Sequence, residues 1–387
     1  MKRNTMSFLI LIVGMIWLGQ IQAQPQAQVP KSVASQTPSL QNSPQPETIK
    51  NFRYWGDLQI DYKNELQPSS QKNHNAFSLP LLRFYLQSQI ESDFGVQLGI
   101  QFGPLDSSSG EYRGLLKHGY LYMNNVFTEK DELRYGALLN PWIEMQEALW
   151  GIQDYSTYGD VLLKRYDYLP RVDLGVQYIS RFEAGLWALS LVNGEGMNTA
   201  DTGVKKDGQF HLELYPFSSL RSQNEGRFFL AMGYAYGAYD GVAENLAIKD
   251  KTLVSLGIRQ NLGLSFWAEA FQGKDAVDKI AGRVSDAVDL SAQGGTLAKS
   301  EGAAGYLTYS FQRDSVRKWQ VVLKGDWVTP YKGLNAKWVR SQSAGLVYQL
   351  RERLQLALLN SRAQYGENHS LSHRESENWS FSTRVNF

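Results

Sequence analysis

The chain has 387 residues, with 39 Lys+Arg against 38 Asp+Glu, 12% aromatic residues and no Cys. Near-neutrality excludes a nucleic-acid binder that works through overall basic charge, and the aromatic content excludes a disordered chain. The lack of Cys removes disulfide frameworks, Cys-based zinc sites and thiol catalysis. The lack of any run of about 18 apolar residues excludes a helical membrane protein while leaving a barrel open.

Lys2 and Arg3 precede the apolar stretch 8–18, which Gly19 and Ile21-Gln22-Ala23 follow. A stretch this short does not span a bilayer, and Ala23 is a small residue suited to cleavage, so residues 1–23 read as a secretory signal peptide. Its removal takes away two bases and no acid, tipping the net charge from one positive to one negative. Residues 24–50 are rich in Gln, Pro and Ser and poor in periodic apolar residues, the composition of a disordered leader.

From residue 51 one pattern runs to the end. Phe52, Tyr54, Gly56, Leu58, Ile60 and Tyr62 alternate with Arg53, Trp55, Asp57, Gln59, Asp61 and Lys63. A period of two is that of a strand with one face apolar and the other polar. The grammar recurs at 94–103, 171–178 and 319–327, and closes with Trp379, Phe381, Thr383, Val385 and Phe387 against Asn378, Ser380, Ser382, Arg384 and Asn386. Sixteen such segments are expected, at 51–63, 78–91, 94–104, 115–126, 132–140, 171–180, 183–193, 208–216, 227–239, 252–260, 263–272, 302–312, 319–328, 338–349, 353–362 and 377–387. The links between them alternate short and long, as a transmembrane antiparallel β-barrel requires; the link at 217–226 is longer than its class. A last strand ending on Phe resembles the C-terminal signature of bacterial outer-membrane barrels, which implies residence in the outer membrane.

A barrel of about sixteen strands is too wide for side chains to fill, so a water-filled lumen is expected. Arg53, Asp57, Arg83, Arg134, Asp173 and Lys324 are the expected pore-lining charges. Residues 141–170, the longest link, carry Trp142, Ile143, Met145, Leu149, Trp150, Val161, Leu162 and Leu163, which need a surface to bury against. The inner wall is the nearest one, so this third outer loop is expected to fold inward and narrow the pore. Glu144, Glu147, Asp160, Lys164, Arg165 and Arg171 are the expected constriction charges, and Tyr155, Tyr158 and Tyr166 candidates for stacking on a solute.

Asn140-Pro141-Trp142, Asp173-Leu174-Gly175-Val176-Gln177, Val192-Asn193-Gly194-Glu195-Gly196 and Tyr215-Pro216-Phe217 stand in the order of landmarks in a known family. Over 51–387 the chain resembles the phosphate-selective porins O and P. The resemblance implies passive diffusion of small anions, a homotrimer and no cofactor, with Lys164, Arg165 and Arg171 as attracting charges. Interspersed Asp57, Asp61 and Asp173 depart from that family's basic ladder. A general or carbohydrate-type porin therefore stays open, as does a closed receptor or structural barrel binding a partner through its outer loops. Of the five His, the 369/373 pair falls in a late outer loop with no fixed helical face and no carboxylate-plus-His arrangement recurs at ligand spacing, so neither an enzyme nor a metal site is expected.

Overall fold

The computed structural model describes residues 51–66, 74–104, 112–150, 161–165, 168–194, 196, 205–216, 227–238, 248–259, 263–276, 297–312, 318–330, 338–351, 353–366 and 375–387. Every segment expected from the two-residue period forms a strand, with ends displaced by a few residues. They are β1 (Asn51–Leu66), β2 (His74–Gln89), β3 (Phe94–Pro104), β4 (Tyr112–Asn124), β5 (Asp131–Leu139), β6 (Val172–Phe182), β7 (Gly185–Val192) and β8 (Asp207–Leu214). The second half comprises β9 (Arg227–Ala238), β10 (Ile248–Arg259), β11 (Gly263–Ala276), β12 (Leu297–Gln312), β13 (Lys318–Thr329), β14 (Val339–Arg351), β15 (Leu354–Tyr365) and β16 (Glu375–Asn386).

Each strand pairs antiparallel with its sequence neighbours, and β1 pairs with β16, so the sheet closes and leaves no edge. At the seam Leu58 lies opposite Val385 and Asp61 opposite Ser382. Gly56 and Phe387 exchange both backbone hydrogen bonds, each 3.0 Å. The Phe387 ring then packs on Phe84 with centroids 5.6 Å apart, so the final residue belongs to the closure itself.

The pleat sorts side chains between two solvents. Phe84, Phe102, Leu189, Phe266, Leu323, Leu358 and Phe381 stand exposed on the outer face, a cost in water and the natural state against hydrocarbon. Asp57, Gln59, Asp61, Arg83, Gln177, Glu213 and Glu269 are buried on the inner face. The turn joining β4 to β5 shows how a short end is tied. Asn125 takes a left-handed φ of 58°, and the Asp131 carboxylate accepts from the Phe127 and Thr128 amides and from the Tyr178 hydroxyl.

The long link between β5 and β6 contains helices α1 (Pro141–Trp150) and α2 (Leu162–Arg165) and turns into the barrel. A helix here was not read from the sequence, although its start signals are present. Asn140 caps α1 by accepting the Trp142 and Ile143 amides, Pro141 opens it, and Glu144 sits in the first turn, where the helix dipole favours an acid.

Deleting Phe387 removes two seam hydrogen bonds and an aromatic contact, a loss of about 1–3 kcal/mol from the hydrogen bonds alone. The truncated barrel is expected to convert to the slow-migrating unfolded form at a lower temperature in a gel-shift series of unboiled samples.

Candidate pore and its constriction

The infolded segment buries Trp142, Ile143, Met145, Trp150, Val161, Leu162, Leu163, Tyr168 and Leu169 in one cluster with the inner wall of β9–β15. The wall supplies Phe229 and Ala231 on β9, Leu253 on β10, Trp267 and Phe271 on β11, Tyr306 on β12 and Val322 on β13. The seat is a set of apolar side chains on these strands, set among inward polar residues such as Lys251, Glu269, Lys324 and Ser343.

The seat is specific. Trp142 meets His211 edge to face at 5.4 Å and rests over Gly233, where a Cβ would come within 2.8 Å of the indole. Trp150 packs edge-on against Trp267 and Tyr306, which themselves stack at 4.3 Å and 6°. The Tyr306 hydroxyl donates to Glu269 at 2.6 Å and accepts from the Leu162 amide at 3.0 Å. Gln146 of α1 donates to the other Glu269 oxygen. One buried carboxylate therefore ties both helices to the wall, directly through Gln146 of α1 and through Tyr306 to the Leu162 amide of α2.

Across from this seat, a cavity of about 410 Å³ remains between α1 and the wall of β16 and β1–β4. Four cations line it, Arg83, Lys117, Arg171 and Arg384, with His118 beside them, against two carboxylates, Asp57 and Glu147. Asp57 accepts from Arg83 at 2.8 and 3.0 Å and pairs with Arg384 at 3.3 Å. Glu147, from α1, pairs with Arg171 at 2.6 Å. Lys117 reaches this wall because the β3–β4 register slips between Gly99 and Ile100, opposite His118 and Leu116 respectively. The bulge puts two consecutive residues, Lys117 and His118, on the lumen side.

Among the residues expected from sequence, Asp57, Arg83, Glu147 and Arg171 meet in this cavity. Arg53 lies exposed near the start of β1. Arg134 is buried, bound to Glu132 at 2.6 Å and 3.6 Å from Glu144, and covers the Tyr120 ring. Asp173 accepts the Leu174 and Gly194 amides and anchors the β7–β8 link, where Lys249 also binds the Gly194 carbonyl. Lys324 has no side-chain exposure, pairing with Asp326 at 2.9 Å close to the Tyr306 ring, on the wall that receives the loop. Lys164 and Arg165 fall on the α2 backbone, their side chains outside those described, and Tyr155, Tyr158, Asp160 and Tyr166 lie outside the described residues. Sequence reading missed Lys117, because a bulge breaks the period that marks inward positions; two polar residues in succession, Lys117 and His118, were the available signal. Among the described residues no group of acidic and His side chains could hold a metal ion.

No protein-family model matches the chain, and no curated protein matches it in sequence. Solved structures share its fold. An anion-selective porin from Comamonas acidovorans superposes with a TM-score of 0.57 over 87% of this chain and 99% of that one, at 10% identity. OmpT, an outer membrane protein of Vibrio cholerae in its trimer form, gives 0.55 over 87% and 99% at 10% identity. OmpF of Salmonella typhi in complex with daunomycin gives 0.59 over 87% and 97% at 10% identity. The chain is thus a closed barrel of the porin fold, with sixteen strands among the described residues and an infolded third outer loop.

Replacing Trp150 by Ala empties the centre of the seat, weakening loop docking by about 3–5 kcal/mol. The expected outcome is rapid proteolytic cleavage within 141–170 in detergent, with the unboiled gel shift of the barrel retained.

Proposed function

We propose that the protein is an outer-membrane porin through which small hydrophilic solutes diffuse passively, with a preference for anions. The observation that carries the reading is where the loop sits: it packs on apolar side chains of β9–β15 and leaves a passage on the opposite side, where four cations face two carboxylates. Both carboxylates are ion-paired to those cations, so the field along the passage is net positive. Fixed charge in a narrow, partly desolvated passage selects by sign. The fold shared with an anion-selective porin supports the same reading.

The sequence resemblance to the phosphate-selective porins makes phosphate one of the anions to be carried. The filter we assign differs from the one expected from that resemblance: Arg83, Lys117, Arg171 and Arg384 are its principal charges. A homotrimer in the outer-membrane lipid is part of the proposal, supported by the trimer form of a structural neighbour. So is export through the signal peptide, with residues 24–50 preceding the barrel as a leader. No catalytic group or cofactor has a part in this reading.

Two measurements test it. In planar bilayers under a KCl gradient, the refolded chain is expected to show an anion-signed reversal potential. Lys117→Glu should lower the chloride-to-potassium permeability ratio by roughly fivefold or more, the factor for about 1 kcal/mol from one charge at ~4 Å in a water-like dielectric. The Lys164→Ala/Arg165→Ala pair should lower it less. A cation-signed potential in the unaltered protein would remove the anion claim. The absence of channels would remove the porin reading in favour of a closed barrel. Separately, N-terminal sequencing of the exported protein is expected to begin at Gln24.

A further inference from the structure

The lumen wall opposite the loop carries more than charge. Trp55 of β1 and Tyr85 of β2 lie opposite each other in register and stack with centroids 5.4 Å apart at 13°. Tyr85 in turn stacks on His118 of β4 at 5.7 Å and 26°. The two rings meet across an intervening strand because β3 places Gly99 between them, where a Cβ would come within 2.7 Å of the imidazole. Three near-parallel rings therefore run across four strands. The row ends at Trp55, which is 37% exposed and lines the cavity. Lys117 fixes the row from the side, its ammonium donating to the Tyr85 hydroxyl at 2.9 Å.

A water-filled passage gains nothing in solvation from such a row. Resting on the porin reading above, we propose that this wall is a recognition subsite for monocyclic aromatic carboxylates, the ring lying on Trp55 and the carboxylate meeting the cations beside it. A cavity of about 410 Å³ accommodates one substituted ring. Guanidinium and ammonium groups bind carboxylates with charge-assisted hydrogen bonds, and flat aromatic faces add stacking that a saturated ring cannot match. Sugar hydroxyls suit the wall less well. They call on carboxylate acceptors, and both carboxylates here, Asp57 and Glu147, are engaged by Arg83, Arg384 and Arg171.

The test is calorimetric titration of the folded barrel in detergent with benzoate, cyclohexanecarboxylate and glucose 6-phosphate, beside KCl conductance of the same preparation. Benzoate is expected to bind roughly tenfold more tightly than its saturated analogue, the size of an aromatic stacking increment. Trp55→Ala should abolish that ratio and Trp55→Phe should restore most of it, while Lys117→Met weakens both carboxylates alike. Equal affinity for the two carboxylates, a ratio unmoved by Trp55→Ala in a barrel that still gel-shifts, or glucose 6-phosphate binding as tightly as benzoate would each overturn the subsite. Because binding is read without conduction, loss of the subsite with channels present leaves the porin reading standing, and loss of channels leaves the subsite measurable.

Discussion

The interaction on which the interior depends is the burial of two indoles, Trp142 and Trp150, against the inner wall. A closed sheet of this size encloses more space than its own side chains fill, and a long apolar link cannot stay in water without loss. The two problems have one solution. The link enters the lumen, caps itself as α1 on Asn140 and lays its apolar side chains on Phe229, Trp267, Tyr306 and their neighbours. Everything the remaining passage is, including its width and the sign of its walls, follows from which half of the barrel the loop occupies.

That choice also explains why charges of one kind hold opposite roles. Lys324 and Arg83 have the same inward parity and similar burial, yet Lys324 lies in the seat beside Tyr306, whereas Arg83 faces the cavity. Glu269 and Glu147 differ in the same way. Glu269 ties the helices to the wall, whereas Glu147, on the far side of α1, holds Arg171 at the rim of the passage. Position around the circumference, relative to the loop, decides whether an inward charge lies in the packed seat or on the open cavity.

Much of the fold was legible because a barrel strand has only two environments and the side-chain period of two writes them directly. The aromatic terminus at Phe387 and the apolar content of 141–170 pointed to the closing seam and to the infolding. The circumference was not legible. Which inward residues meet across the lumen depends on register and on the loop's seat, both set by contacts distant in sequence, so the sequence did not tell which part of the inner wall would receive the loop. Lys117 escaped for a different reason: alternation is the signal for an inward residue, and a bulge is the place where alternation fails. The α1 helix escaped because its apolar side chains cover too broad a face to show the helical period, although its cap and opening Pro were in plain view.

The bulge at Lys117 has a bearing on how such a barrel changes over generations. In a regular strand an inserted or deleted residue turns everything beyond it inside out, exchanging lumen and lipid faces at a prohibitive cost. Here the extra residue sits out of the pleat, with Gly99 and Ile100 already facing His118 and Leu116 on either side of it. Loss of that one codon would restore strict alternation and leave both faces as they are, subtracting a single positive charge from the wall. The wall thus contains a position where the genetic text can be shortened without disturbing the frame of the sheet.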